Sequence, residues 1–269
     1  MKKRLLLPMC AACMCFEAFA AEIVAHRGEN TQAPENTIPA FRAAFANGGT
    51  AIEGDFYLTD SGEMVCVHGE KELAAYSGVE RRIASLTRAD LSKLDMAATS
   101  PKFAKFSPTP PPNAEEVFAV IPRGGKIFFE IKNYPKGFFE KLESARKSAE
   151  LEESRVVLIS FNFDALKDAK KRNPRYKCYF LYSAKSENGR LLPTPSEISA
   201  KVRSAGLDGV DVGHWNLDEA YVRALKSEGL DVAVWTLNDV SKLPIFVKWG
   251  ADFITTDKNA EFLRALRKK

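Results

Sequence analysis

The sequence predicts an α/β fold, a (β/α)8 barrel of the TIM type with a small insertion after the third strand and an N-terminal signal peptide. Three observations carry that expectation. Strand-like runs rich in β-branched and aromatic residues alternate with helix-period segments, and about eight repeats of that unit argue for a closed parallel barrel. The chain has 269 residues, close to the roughly 250 of a single such barrel. Polar residues able to do chemistry fall where the apolar runs stop, and functional groups of a barrel gather at that end. An open doubly wound sheet fits less well, because the first strand–helix turn, "HRGENTQAPENT", lacks the phosphate-binding G-x-G-x-x-G spacing.

Residues 1–20 read as a secretory signal. Met1-Lys2-Lys3-Arg4 is a basic cap, "LLLPMCAACMCF" an apolar run too short for a permanent span, and Ala18-Phe19-Ala20 a small-x-small cleavage site. The mature chain is then 21–269, exported to the periplasm or secreted, with no stable membrane anchor. Strands are expected at 22–26, 51–57, 64–68, 126–131, 155–161, 177–182, 208–212, 231–236 and 252–256. Helices are expected at 37–47, 114–120, 137–150, 163–171, 196–205, 217–228, 239–248 and 258–267. The tight "TDSG" turn at 59–62 leaves no room for a crossover helix, so the second and third strands should form an antiparallel hairpin. A two- or four-residue loop pairs Glu53 with His68 and Asp55 with Cys66, which places all four on one face. A three-residue loop with Gly62 in a bulge shifts that register by one.

Residues 70–112 break the rhythm and read as an insertion over one rim, too small for a core of its own. It holds a short helix in "SLTRADLSKLD", starting near Ser85 or Thr87, and ends in the stiff connector "SPTPPP". Asn113 followed by Glu116 is a capping-box-like pair that restarts a barrel helix.

Composition is that of an ordinary globular chain, with 45% hydrophobic and 28% charged residues and a mean hydropathy of −0.22. The formal charge of +4 becomes +2 when three basic groups and one acidic group leave with the signal. That excess is too small to suggest nucleic acid. Cys66 and Cys178 remain in the mature chain and are expected as two buried, reduced thiols.

The chemistry-bearing residues converge. His26 and Arg27 finish the first strand, and only three histidines exist in the chain. Glu53 and Asp55 alternate on the second strand, His68 ends the third, and Glu130 and Lys132 share one side of the fourth. Three carboxylates in one barrel mouth repel one another unless a cation sits among them, and such oxygen ligands suit Mg²⁺ or Ca²⁺ better than zinc. Arg27 and Lys132 add positive charge suited to an anionic group such as phosphate. Two facing histidines supply a proton acceptor and a donor near neutral pH. Ser160 is expected to satisfy a backbone group, Pro34-Glu35-Asn36-Thr37 to form a turn and helix start, and His214 to be structural.

The set "HRG", "PENT", "IEGDFYLTDSG", "VCVHG", "FFEIKN", "SF", "VWTLN" and "GADFITTD", spread over most of 22–257, resembles the glycerophosphodiester phosphodiesterase family. That resemblance implies metal-dependent hydrolysis of a small phosphodiester to glycerol 3-phosphate and an alcohol. It also implies His26 and His68 as the acid–base pair, Glu53, Asp55 and Glu130 as metal ligands, Arg27 and Lys132 holding the phosphate, and Trp235 lining the substrate pocket. The insertion falls where the family carries a small extra subdomain. One departure is Gly69, where the family usually has aspartate after its second histidine. Two alternatives stand beside this reading: a related enzyme acting on a lysophospholipid or phosphoinositide, and a non-catalytic phosphodiester-binding protein.

Overall fold

The computed structural model describes residues 21–267; the signal-peptide reading of 1–20 lies outside them. The elements run β1 (Glu22–Ala25), α1 (Ile38–Ala46), β2 (Ala51–Leu58), β3 (Met64–Cys66), α2 (Glu70–Ser77), α3 (Arg88–Leu91) and α4 (Ala114–Ala119). They continue with β4 (Lys126–Ile131), α5 (Phe138–Ser148), β5 (Val156–Ser160), α6 (Phe163–Arg172), β6 (Lys177–Tyr182), β7 (Lys185–Glu187), β8 (Arg190–Leu192) and α7 (Pro195–Ser204). The last are β9 (Gly209–Gly213), α8 (Glu219–Ser227), β10 (Asp231–Trp235), α9 (Leu243–Trp249), β11 (Phe253–Thr256) and α10 (Asn259–Arg267).

Strands β1, β2, β4, β5, β6, β9, β10 and β11 pair in parallel, and β1 pairs with both β2 and β11, closing an eight-stranded barrel. Strand alternation gives each barrel strand two faces. The outer face packs on the helices in a large core that includes Phe41, Phe56, Phe118, Phe129 and Phe262. The inner face fills the lower barrel with Val24, Ala51, Phe128, Val157, Ile159, Tyr179, Leu181 and Ala233. These apolar side chains separate the C-terminal mouth of the barrel from a second hollow at its N-terminal end, lined by Glu22, Lys126, Tyr179 and Phe253 among others.

Local chemistry sets many boundaries. Thr37 caps α1 with Pro39 in its first turn, Thr87 and Asp90 form a capping box at α3, and Asn113 and Glu116 do the same at α4. Ser160 donates its hydroxyl to Ile131 O at 2.7 Å, the backbone role expected of it. The small β7–β8 hairpin was not legible in the sequence, since its strands are short and mostly exposed.

The hairpin register differs from the first expectation. Phe56, Tyr57 and Leu58 pair with Cys66, Val65 and Met64, and Thr59 N–H donates to Glu63 O across a three-residue loop with Gly62 at φ +83°. The extra residue slips the register by one, which flips every side chain. Cys66 therefore faces the outer core, away from Glu53 and Asp55. β3 ends at Cys66, and the chain turns at His68 and Gly69 into α2. The 70–112 segment packs through Leu73, Ile83, Leu86, Leu91, Leu94 and Met96 on Val65 and Val67. It thus has a satellite core, completed by Val65 of β3 and by Val67 just beyond that strand.

Candidate active site

Barrel register forces the acids together. β2 and β4 pair with Asp55 opposite Glu130 and Glu53 opposite Phe128, so the carboxylates share one inner wall. One oxygen from each of Glu53, Asp55 and Glu130 lies within 4.8 Å of the others. Glu53 and Asp55 are buried.

A turn of unusual backbone builds the adjoining wall. Arg27 adopts φ +54° and Asn36 φ +55°, a left-handed conformation that costs a non-glycine residue on the order of 1–3 kcal/mol. The strain aims groups at the acids. Arg27 N–H donates to Glu53 Oε2 at 2.9 Å, and Asn36 Nδ2 donates to Asp55 Oδ2 at 2.8 Å. Gly28 closes the turn at φ +81°, where an added Cβ would lie 2.6 Å from the carbonyl carbon of Ala40.

The two cations assigned to phosphate contact the acids in this structure. Arg27 Nη1 donates to Glu35 Oε1 at 2.9 Å, and its Nε lies 3.3 Å from Asp55 Oδ2. Lys132 Nζ sits 2.9 Å from Glu130 Oε1 and 3.4 Å from Asp55 Oδ1. Burial opposes the charge on both, but the acids outweigh it and hold both pKa values above their usual range. Burial also pushes Asp55 up, yet Lys132 and Arg27 win and keep it below the ordinary carboxylate range. Glu130 is pushed up to about 8 by burial and by Asp55. Burial, with the charges of Asp55 and Glu130, raises Glu53 well above its normal value.

Burial and their mutual repulsion hold two of the three carboxylates, Glu53 and Glu130, toward their protonated forms, and Glu53 Oε1 is buried without a hydrogen-bond partner. An all-oxygen donor set with an orphaned carboxylate oxygen fits a hard divalent cation.

Both histidines border this cluster, each beside a carboxylate that sequence reasoning did not assign. His26 Nδ1 is 2.7 Å from Asp257 Oδ1, and Asp257 also accepts from Asn30 Nδ2 at 2.5 Å and Asn238 Nδ2 at 2.6 Å. With Nδ1 engaged, His26 Nε2 faces inward, 4.0 Å from Glu53 Oε2. His68 Nδ1 lies 3.1 Å from Glu72 Oε1, one helical turn along α2 and off the line of a hydrogen bond. The faint signals were position alone: Asp257 follows the last barrel strand, and Glu72 stands four residues after His68.

A cavity of about 120 Å³ is lined by His26, Arg27, Glu53, His68, Glu130, Lys132 and Trp235. Asp55 sits behind this lining, in contact with Arg27 and Lys132. Trp235 Nε1 donates to Asp211 O at 3.1 Å, and Phe161 and Trp215 meet the Trp235 ring edge to face. Phe161 and Trp215 are about half exposed and form an aromatic rim. His214 stacks on Trp215 and lines a neighbouring groove rather than this cavity.

Comparison with known proteins bears on the family and the fold. Residues 26–261 match the model of the glycerophosphoryl diester phosphodiesterase family. A glycerophosphodiester phosphodiesterase of Caldanaerobacter subterraneus is 33% identical over 254 residues, covering 91% of this chain and 98% of that protein. One from Bacillus subtilis is 26% identical over 248 residues, covering 87% and 82%. Among solved structures, an Oleispira antarctica phosphodiesterase in complex with the product sn-glycerol-3-phosphate superposes with a TM-score of 0.79 at 23% identity, covering 93% of this chain and 98% of that one. That likeness speaks to the fold.

Proposed function

The chain belongs to the glycerophosphoryl diester phosphodiesterase family, and from that premise we propose that it hydrolyses glycerophosphodiesters to glycerol 3-phosphate and an alcohol by two-histidine acid–base catalysis. It is a phosphoric diester hydrolase. The observation that carries the mechanism is one cavity that brings together two histidines, each with a carboxylate at Nδ1, and a three-carboxylate cluster.

Asp257 holds His26 with Nδ1 as donor, so Nε2 presents a lone pair to the cavity. There it takes the proton from the nucleophile, either water or the substrate's adjacent hydroxyl, as a P–O bond forms. His68, with Glu72 stabilising its positive charge, gives a proton to the departing alkoxide as its P–O bond breaks. Where the hydroxyl is the nucleophile, this step leaves a cyclic phosphate; His68 then takes a proton from water as it adds to phosphorus, and His26 returns its proton to the leaving ring oxygen to give glycerol 3-phosphate. General acid–base catalysis of this kind contributes about 10²- to 10⁴-fold per group. Glu53, Asp55 and Glu130 would hold a divalent ion, Mg²⁺ or Ca²⁺, whose charge would polarise the phosphoryl group. Arg27 and Lys132 stand beside the acids, where they would balance the phosphate's charge.

The half-exposed Phe161 and Trp215, packed on Trp235, favour a second reading, a substrate whose glycerol arm carries an apolar chain, such as a lysophospholipid. Purified protein supplied with glycerophosphocholine or lysophosphatidylcholine, and with Mg²⁺ or Ca²⁺, decides between them by the rate of product release. Glycerol 3-phosphate release that stops in excess EDTA is expected. No release with either ion would overturn the proposal, and full activity in EDTA would remove the metal from it.

We also propose that the enzyme acts outside the cytoplasm, a reading that rests on residues 1–20 and is tested by fractionating cells that express the full chain. Among the described residues no helix is long and apolar enough to cross a membrane.

A further inference from the structure

Several buried polar atoms in the cavity wall have no hydrogen-bond partner. Those of Arg27, Glu53 and His68 belong to the ion and acid–base machinery, but Asp211 Oδ1 and Thr255 Oγ1 do not. Asp211 is 1% exposed and Thr255 2%. A buried, unpaired polar group is costly to keep, and one that faces a cavity points to a missing partner there.

The barrel register shows why Asp211 lacks one. On the inner face it is flanked in register by Leu181 of β6 and Ala233 of β10, neither of which offers a polar atom. Thr255 stands on β11, one inward-facing residue above Phe253, which is in register with Ala233. The two orphans therefore lie on strands β9 and β11, on the wall that runs through β10 to β1. The acids occupy β2 and β4 on the other side of β1. No charged neighbour acts on Asp211; burial alone pushes its carboxyl up to about 8. A group that stays neutral near pH 7, beside no cation, suits an uncharged hydrogen-bonding ligand. It suits a second phosphate poorly. A trimethylammonium group has no hydrogen to donate and would leave Oδ1 unsatisfied. The cavity, at about 120 Å³, has room for a small group only.

We propose that Asp211 and Thr255 form the subsite that receives the hydroxyl groups of the substrate's glycerol arm, and so select glycerol-bearing phosphodiesters. The inference rests on the function proposed above and adds residues that fix which arm of the diester enters the barrel. Hydroxyls seated there would pair both orphans and place the phosphate toward β2 and β4.

Calorimetric titration of the Mg²⁺-loaded protein with glycerol 3-phosphate and, separately, inorganic phosphate tests it. Asp211→Leu removes an unpaired carboxyl and should fold at least as well as the parent. Its affinity for glycerol 3-phosphate should fall about tenfold or more, while that for inorganic phosphate stays within about twofold. Asp211→Asn, which keeps the shape and hydrogen-bonding capacity, should recover most of the loss. The isosteric Thr255→Val should show a smaller loss with the same selectivity. The proposal is overturned if Asp211→Leu binds glycerol 3-phosphate as the parent does, or if both ligands weaken together. Turnover of glycerophosphocholine by the parent separates the two levels. With turnover intact and no effect of Asp211→Leu, only the subsite falls; with neither turnover nor glycerol 3-phosphate binding, the reading beneath it falls as well.

Discussion

Replacing Asp257 by asparagine removes one charge and one acceptor from the support of His26. The carboxylate accepts from three donors: His26 Nδ1 at 2.7 Å and Asn30 Nδ2 at 2.5 Å on Oδ1, and Asn238 Nδ2 at 2.6 Å on Oδ2. An asparagine has a single acceptor oxygen, so one donor (Asn238) or two (His26 and Asn30) meet an NH₂ group, according to which way its amide points. If the oxygen stays toward His26, the bond loses its ionic component, and hydrogen bonds to charged groups contribute roughly 1.5–3 kcal/mol. The neutral bond that remains contributes roughly 0.5–1.5 kcal/mol, so the loss is about 1–1.5 kcal/mol; at about 1.36 kcal/mol per tenfold change, kcat should fall about 5- to 13-fold. If the amide flips, the imidazole takes the other tautomer and the loss approaches the full ~10²- to 10⁴-fold of a general base. KM should change little, because Asp257 reaches the reaction only through His26. The assay couples glycerol 3-phosphate release to its dehydrogenase, and ¹⁵N NMR of the His26 ring reports the tautomer. Combining Asp257→Asn with His26→Ala should be no worse than His26→Ala alone, since the two act as one unit. Full kcat in Asp257→Asn, or losses that multiply in the double variant, would refute the assignment.

Other expectations follow from the same geometry. Glu72→Gln should lower kcat only about threefold to tenfold, because Glu72 is 29% exposed and its charge is partly screened; a loss as large as that of His68→Ala would show that it has a larger role. Gly28→Ala should cost about 2–4 kcal/mol in urea unfolding, from a left-handed φ and a clash with Ala40; a variant as stable as the parent would contradict the close packing of this turn. Asp211, raised from about 3.9 when unfolded to about 8 when folded, favours folding below pH 4 and loses that contribution as pH rises through 8. Asp211→Asn should therefore stabilise the protein more at pH 8 than at pH 5, by up to about 4 kcal/mol; equal gains at both pH values would show that the group is not held neutral.

Much of the site was legible because it is encoded at short range. Glu53 and Asp55, two apart on a strand, must share a face, and Glu130 and Lys132 repeat that spacing. Thr87, Asn113 and Glu116 mark helix starts by cap chemistry that needs no distant partner. The hairpin was legible as a hairpin but not in register, because a change of one loop residue at Gly62 moves Cys66 from the inner to the outer face.

The sequence alone thus determined the alternation of strands and helices, the closed barrel, and the acids and histidines at its strand ends. All of these depend on periodicity and on the direction in which a strand points its side chains. Barrel closure decided the rest. It brings Asp257 against His26 across 231 residues, sets Asp55 beside Glu130, and turns Asp211, hidden in an apolar run, into a cavity wall. Such pairs are fixed by strand register and by the meeting of the first and last strands, and neither is written in any local stretch of chain.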